Sequence, residues 1–243
     1  MSVLHKAGPE SSDRRKFLRT IASGTALALT GTAGAVQGGP ESVSEVHGEE
    51  EVSPAEDLMR EHGVLKRVLL VYEETLRRLH AGEELPPEAL AEAAGIIRSF
   101  IEDYHEKLEE DFLFPRFRKA NKLVELVEVL LEQHRAGRRL TDTTLRLANF
   151  EALKNPDDKR ELSDSLQKFI RMYSPHEARE DTVLFPAFRG IVSSNEYDSL
   201  GEEFEEKEHE LFGEDGFDKM VERVAAIEKS LGIYDLKQFT PRA

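Results

Sequence analysis

His105-Glu106-Lys107-Leu108-Glu109 and His176-Glu177-Ala178-Arg179-Glu180 each set an imidazole four residues before a carboxylate, and the two stretches lie seventy-one residues apart. On a helix, residues four apart share a face one turn from each other. Each pair can therefore offer one nitrogen and one oxygen to the same cavity. Leu113-Phe114-Pro115 follows the first pair and Leu184-Phe185-Pro186 the second. Two more histidines keep step with them, His62 forty-three residues before His105 and His134 forty-two before His176. The repeat unit is thus a helical hairpin with one histidine on its first helix and His-x-x-x-Glu on its second. Two such hairpins face to face would gather four histidines and two glutamates near a pseudo-twofold axis, with the carboxylates able to bridge a pair of cations.

A charged glutamate on an apolar helix face costs several kcal/mol if it is left unpaired. One such glutamate fits a buried ion pair, and one such histidine fits a hydrogen-bonded core residue. Six of them in matched register are better explained by metal ligation, with His62, His105, Glu109, His134, His176 and Glu180 as the ligands. The chain has no cysteine, so disulfides, zinc–thiolate sites, iron–sulfur clusters and thiol nucleophiles are excluded. Imidazole and carboxylate donors suit iron, manganese or zinc, and the affinity order alone does not choose among them. No phosphate loop, Ser-His-Asp series or nucleotide fingerprint is present.

The elements that must carry these residues read as helices throughout, an all-α protein. Ser53-Pro54-Ala55-Glu56 opens a first helix that should run to about His80, with Ala81-Gly82 ending it. Its stripe is Leu58, His62, Leu65, Leu69, Tyr72, Leu76 and Leu79. Leu85-Pro86-Pro87-Glu88 starts the second helix, whose inner face includes Ile97, Ile101, His105, Leu108 and Phe112, and Pro115 should bend or end it. A third helix from near Asn121 carries Leu123, Val127, Leu130, His134, Gly137 and Thr141. After a break at Asn155-Pro156-Asp157, a fourth carries Leu162, Leu166, Phe169, Tyr173, His176, Glu180 and Leu184, kinked at Pro175. The expected architecture is an antiparallel four-helix bundle of two pseudo-symmetric hairpins over 53–190, with covering helices and an extended tail over 191–243. Ser193 caps a fifth helix to about Phe212, and a shorter one follows from Phe217 to about Leu231.

His62, His105-x-x-x-Glu109, His134 and His176-x-x-x-Glu180, each pair followed by Leu-Phe-Pro, resemble the hemerythrin-like (HHE cation-binding) family over about residues 54–190. That resemblance implies a non-haem centre of two iron ions, joined by an oxo or hydroxo bridge, with dioxygen or a related small ligand at an open iron position. The chain departs from the oxygen-carrying hemerythrins. Their third helix has two histidines four apart, whereas the neighbours of His134 at that spacing are Leu130 and Arg138. Their fourth has aspartate five residues after histidine, whereas here glutamate stands at four. Fewer imidazoles favour the ferric state over reversible oxygen carriage. The expected function is binding or sensing of oxygen, nitric oxide or iron, with a di-iron oxidase or peroxidase, or an iron store, as alternatives. Binding is preferred to an enzyme because no cysteine, haem motif or flavin site is present to deliver electrons.

Ser12-Asp13-Arg14-Arg15-Lys16-Phe17-Leu18-Arg19 and the mildly apolar run that follows resemble a twin-arginine export signal over 1–35, so a periplasmic or extracellular location is expected. The run is too short and too rich in Thr and Gly to span a membrane stably. Residues 36–52 read as a disordered linker. The formal charge of −15 argues against nucleic acid and anionic membrane as partners. Glu106 and its repeat mate Glu177 are open as further oxygen ligands, outer groups or solvated residues. Tyr104 and Tyr173 read as core residues, with a lesser claim to a hydrogen bond toward the site. His80 suits a helix C-terminus, His5 and His47 lie in the signal and linker, and His209 reads as part of a solvated charged face, or as a group on a covering helix near the cavity mouth.

Overall fold

The computed structural model describes residues 52–241; the expected export signal and all of the expected linker except Val52 lie outside the described residues. Ser53 starts the first helix, α1 (Pro54–Ala81): its hydroxyl accepts from the Glu56 N–H at 3.3 Å, and Pro54, with no N–H to satisfy, takes the first turn. Gly82 ends it at φ 67°, a left-handed conformation that costs glycine nothing. The second helix, α2, covers 87–119, the third, α3, is Val124–Leu147, and a short α4 is Phe150–Lys154. The fourth long helix, α5, covers 156–188, with α6 (Ser194–Phe212) and α7 (Gly216–Leu231) after it. Among the described residues there is no strand, and no helix is long and apolar enough to cross a membrane.

Helices α1, α2, α3 and α5 close a ring in which α1 packs on α2 and α5, and α3 on the same two. Short links between successive members make the bundle antiparallel. The apolar stripes read from the sequence face inward: Leu58, Leu65, Leu69 and Tyr72 of α1 and Leu162, Leu166, Phe169, Tyr173 and Leu184 of α5 are buried. Helix α7 lies against α1 and α2, and α6 against α1 and α7.

The second members of both hairpins are not uniform α-helices. Wide turns occupy Ile97–His105 and Glu109–Leu113 in α2 and Glu180–Leu184 in α5. The Phe114 N–H donates to the Glu109 carbonyl five residues back, and the Phe185 N–H does the same to Glu180. Each of these phenylalanines precedes a proline, whose ring would crowd the carbonyl four residues behind it in a regular helix. Widening the turn relieves that crowding. Consequently α2 runs past Pro115 to Lys119, rather than ending there. The segment Pro156–Arg179 runs unbroken through Pro175, and the irregularity falls five residues later.

Three boundaries differ from expectation. Asn121 and Leu123 adopt left-handed φ of 49° and 52°, turning the chain so that α3 begins at Val124. Helix α4 was not anticipated; the Asn149 side chain caps it by accepting from the Ala152 N–H. The tail contains a 3-10 turn, Leu236–Phe239, capped by Asp235.

Candidate metal centre

All six expected residues converge in the bundle interior, each no more than 4 % exposed. His62 and His105 bring their rings to 4.7 Å in the first hairpin, and His134 and His176 to 5.1 Å in the second. The two carboxylates lie between the pairs. Glu109 Oε2 is 3.4 Å from His134 Nε2 and 3.9 Å from His105 Nε2. Glu180 Oε2 is 3.1 Å from His176 Nε2 and 3.4 Å from His62 Nε2. Each glutamate therefore spans both hairpins. Glu109, His134, His176 and Glu180 offer ligand atoms all within 4.8 Å of one another, and His62, His105 and Glu109 form a second such group.

The outward nitrogen of every imidazole is held by an oxygen. His62 Nδ1 lies 2.7 Å from Asp181 Oδ1, His105 Nδ1 2.7 Å from Glu61 Oε2, His134 Nδ1 3.1 Å from Glu110 Oε1 and His176 Nδ1 2.9 Å from Gln133 Oε1. Those oxygens can only accept, so in the neutral ring Nδ1 carries the hydrogen and Nε2 turns its lone pair inward. The arrangement obeys the repeat. The residue before the first-helix histidine (Glu61, Gln133) holds the second-helix histidine of its own hairpin. The acid after the motif glutamate (Glu110, Asp181) holds the first-helix histidine of the other hairpin. Phe185 stacks on His62 and Phe114 on His134, both at 5.5 Å and 24°. That stacking gives the phenylalanine of each Leu-Phe-Pro run its part in the site.

Both oxygens of Glu109, both of Glu180, and His134 Nε2 are buried without a hydrogen-bond partner among the described residues. Buried polar atoms are normally paired, and inward-facing donor atoms in this number fit a cation. The electrostatics agree. Burial, reinforced by the neighbouring charges of Glu180 and Glu106, pushes the Glu109 carboxyl well above its usual range. Burial works against the Glu180 charge too, but His176 and His62 hold that carboxyl well below it. Burial lowers His105 and His134, with repulsion from the other imidazoles contributing to both. His62 is raised to about 9, because its bond to Asp181 and the charge of Glu180 overcome burial.

Around this centre lie residues whose roles the sequence left open. Glu106 is fully buried; Tyr173 donates to its Oε1 at 2.6 Å, and Arg138 sits 2.7 Å from Oε2. Arg138 also pairs with Glu110 at 2.8 Å. Burial, partly offset by Arg138 and Tyr173, raises Glu106 to about 8. Glu177 is buried as well, 3.9 Å from Lys66, and burial raises it to about 7. Neither glutamate is a solvated group. The Tyr173 phenol occupies the space that a Cβ at Gly137 would fill. Tyr104 is core, its hydroxyl directed to the Phe204 carbonyl at 3.4 Å. His80 and His209 are exposed, while His209's neighbour Glu208 is buried and accepts from the Phe217 N–H at 2.8 Å. His5 and His47 lie outside the described residues. Glu61, Gln133, Glu110 and Asp181 were missed by sequence reasoning; their matched positions in the repeat were the available signal.

Comparison with known proteins agrees with this geometry. The hemerythrin HHE cation-binding domain model matches residues 53–188. The chain is 46 % identical over 246 residues to an uncharacterized protein of Mycobacterium tuberculosis and to another of Mycobacterium bovis, covering 99 % of this chain and 96 % of each relative. No solved structure matches it.

Proposed function

Because the chain belongs to the hemerythrin HHE cation-binding family, we propose that it is an exported protein that holds two iron ions in the bundle core and binds or senses dioxygen, nitric oxide or iron itself. His62 and His105 would hold one ion, His134 and His176 the other, and Glu109 and Glu180 would span the two. The observation that carries this reading is the set of inward-facing carboxylate oxygens, buried and without a hydrogen bond, between two imidazole pairs. Bound iron would supply a redox-active cation pair able to take a small ligand.

The protein's own residues do the rest. Asp181, Glu61, Glu110 and Gln133 fix the tautomer and aim of each imidazole. Phe114, Phe185, Leu113 and Leu184 close the interior against water. The Tyr173–Glu106–Arg138 chain keeps a buried carboxylate anchored beside the site. Glutamate in place of further imidazoles supports a preference for the ferric state. The paired arginines Arg14 and Arg15 support export in a folded, metal-loaded form.

The deciding experiment measures metal content of the purified full chain and its optical spectrum, reduced and then exposed to air. Two irons per chain with charge-transfer bands that reverse under vacuum or nitric oxide treatment support binding. Irreversible oxidation with peroxide turnover replaces this reading with that of an enzyme. A chain filled with zinc, or holding no metal, overturns both.

A further inference from the structure

The repeat maps almost every residue of the outer shell onto a chemically similar mate. Asp181 pairs with Glu110, Phe185 with Phe114 and Lys66 with Arg138, but Glu61 pairs with Gln133. His105 is thus held by a carboxylate and its mate His176 by a neutral amide. A carboxylate that accepts the outer N–H makes the imidazole a better donor, because it stabilises the positive charge the ring acquires on ligation. An amide does this less.

A second difference runs in the same direction. Both outer bonds of the first pair measure 2.7 Å, whereas those of the second measure 3.1 Å at His134 and 2.9 Å at His176. Glu110, the acid on His134, also divides its charge between Arg138 at 2.8 Å and Lys107. Its mate Asp181 meets Lys66 at 3.6 Å. The inner carboxylates lean the other way, Glu109 Oε2 lying 3.4 Å from His134 Nε2 and 3.9 Å from His105 Nε2, so the order of the two positions rests on the outer bonds. The four-donor grouping includes Glu180 with His134 and His176, but Glu180 Oε2 also lies 3.4 Å from His62 Nε2 and is within bridging reach of both positions.

We infer that the two metal positions are unequal, the His62/His105 position holding its ion more tightly, and that Gln133 sets the difference. Gln133 is a positioning residue, acting through His176. This rests on the metal-centre reading given above.

The test is titration of metal-free full chain with cobalt(II), followed by calorimetry and by the visible bands of the bound ion. Two resolved steps are expected. Gln133→Glu, at a half-buried position that can accept the charge, should tighten the weaker step about tenfold and draw the two together. Glu61→Gln should weaken the tighter step about 10- to 100-fold. Circular dichroism of each metal-free variant establishes that it folds. Steps that do not respond to Gln133→Glu, or a response of the tighter step alone, overturn the inference while leaving the metal centre intact. Failure of the unaltered chain to bind cobalt overturns the metal-centre reading and this inference with it.

Discussion

The two hairpins, 54–119 and 124–188, agree most closely where they face each other and diverge in the packing behind the site. Four imidazoles, two spanning glutamates, two stacked phenylalanines and two wide turns repeat across the pseudo-twofold axis. Behind them, Leu65 of α1 corresponds to Gly137 of α3, and Glu102 of α2 to Tyr173 of α5. In the second hairpin the missing side chain at Gly137 admits the Tyr173 phenol, which then reaches Glu106 of the first. In the first hairpin Leu65 fills that space, and Glu102 accepts from Thr141 at 2.6 Å and pairs with Arg98 at 3.0 Å. The difference separates two demands. Residues that share one buried donor cluster match, whereas the packing behind them needs only to fill its volume and satisfy its polar groups.

The largest test of that comparison removes one imidazole from each hairpin. His62→Ala and His134→Ala should each weaken metal binding by ~100-fold or more. Each should also forfeit the stabilisation of the bound ion, about 4 kcal/mol when the metal stands at a thousand times its dissociation constant. Metal analysis and thermal unfolding read both effects. A variant that retains both ions would take its hairpin out of the centre.

Next come the mates that diverge. Leu65→Ala should leave a cavity and cost about 2–5 kcal/mol. Gly137→Ala should cost about 1–3 kcal/mol by the opposite route, pushing Tyr173 off Glu106. Urea unfolding of the metal-free chain measures both, and a neutral Gly137→Ala would mean that the phenol moves aside freely.

A third test uses pH. In the metal-free protein His62 is raised to about 9, so at neutral pH the folded state holds a proton that the unfolded chain, at an ordinary histidine value, has largely lost. That contribution is fully present below about pH 6.5 and disappears as pH rises through 9. Glu106, raised to about 8, and Glu177, raised to about 7, act in the same sense. His105 and His134 are lowered, so their contribution is lost instead as pH falls below about 6.5. Between pH 7 and 9 the metal-free chain should therefore lose stability, on the order of 2–3 kcal/mol from His62. Metal affinity should rise over the same interval, since loading must expel the His62 proton. Melting temperatures that stay flat while affinity climbs would break the link.

The smallest effects lie outside the repeat. Ser53→Ala should remove the α1 cap at a cost of about 1 kcal/mol. His80→Ala, at an exposed helix end, should change stability by less than about 0.5 kcal/mol and leave metal content untouched.

Much of this was legible in the chain because it depends on spacing along one helix. Four residues between His105 and Glu109 put both on one face wherever that helix goes, and Ser53, Gly82, Asn155 and Ser193 act within a turn of themselves. The histidines and glutamates that cluster in the interior, the hairpin repeat and most helix ends follow from such local rules. The wide turns at Glu109 and Glu180 were not legible as such, since proline signals a disturbance without saying whether the helix stops or opens.

What tertiary structure alone decided is which residue meets which across the bundle. Glu61 and Gln133 precede their histidines, and Glu110 and Asp181 follow their glutamates, in stretches where charged side chains are common. Packing within each hairpin turned Glu61 and Gln133 onto imidazoles more than forty residues away, and packing of the two hairpins face to face did the same for Glu110 and Asp181. Packing within the second hairpin seated Tyr173 over Gly137, and packing between the hairpins brought its phenol to the buried Glu106. The motif His105-x-x-x-Glu109 determines that a cation can be held, because donor type and helical spacing are local properties. The residues that aim each imidazole form a second layer, and that layer is assembled from contacts between helices.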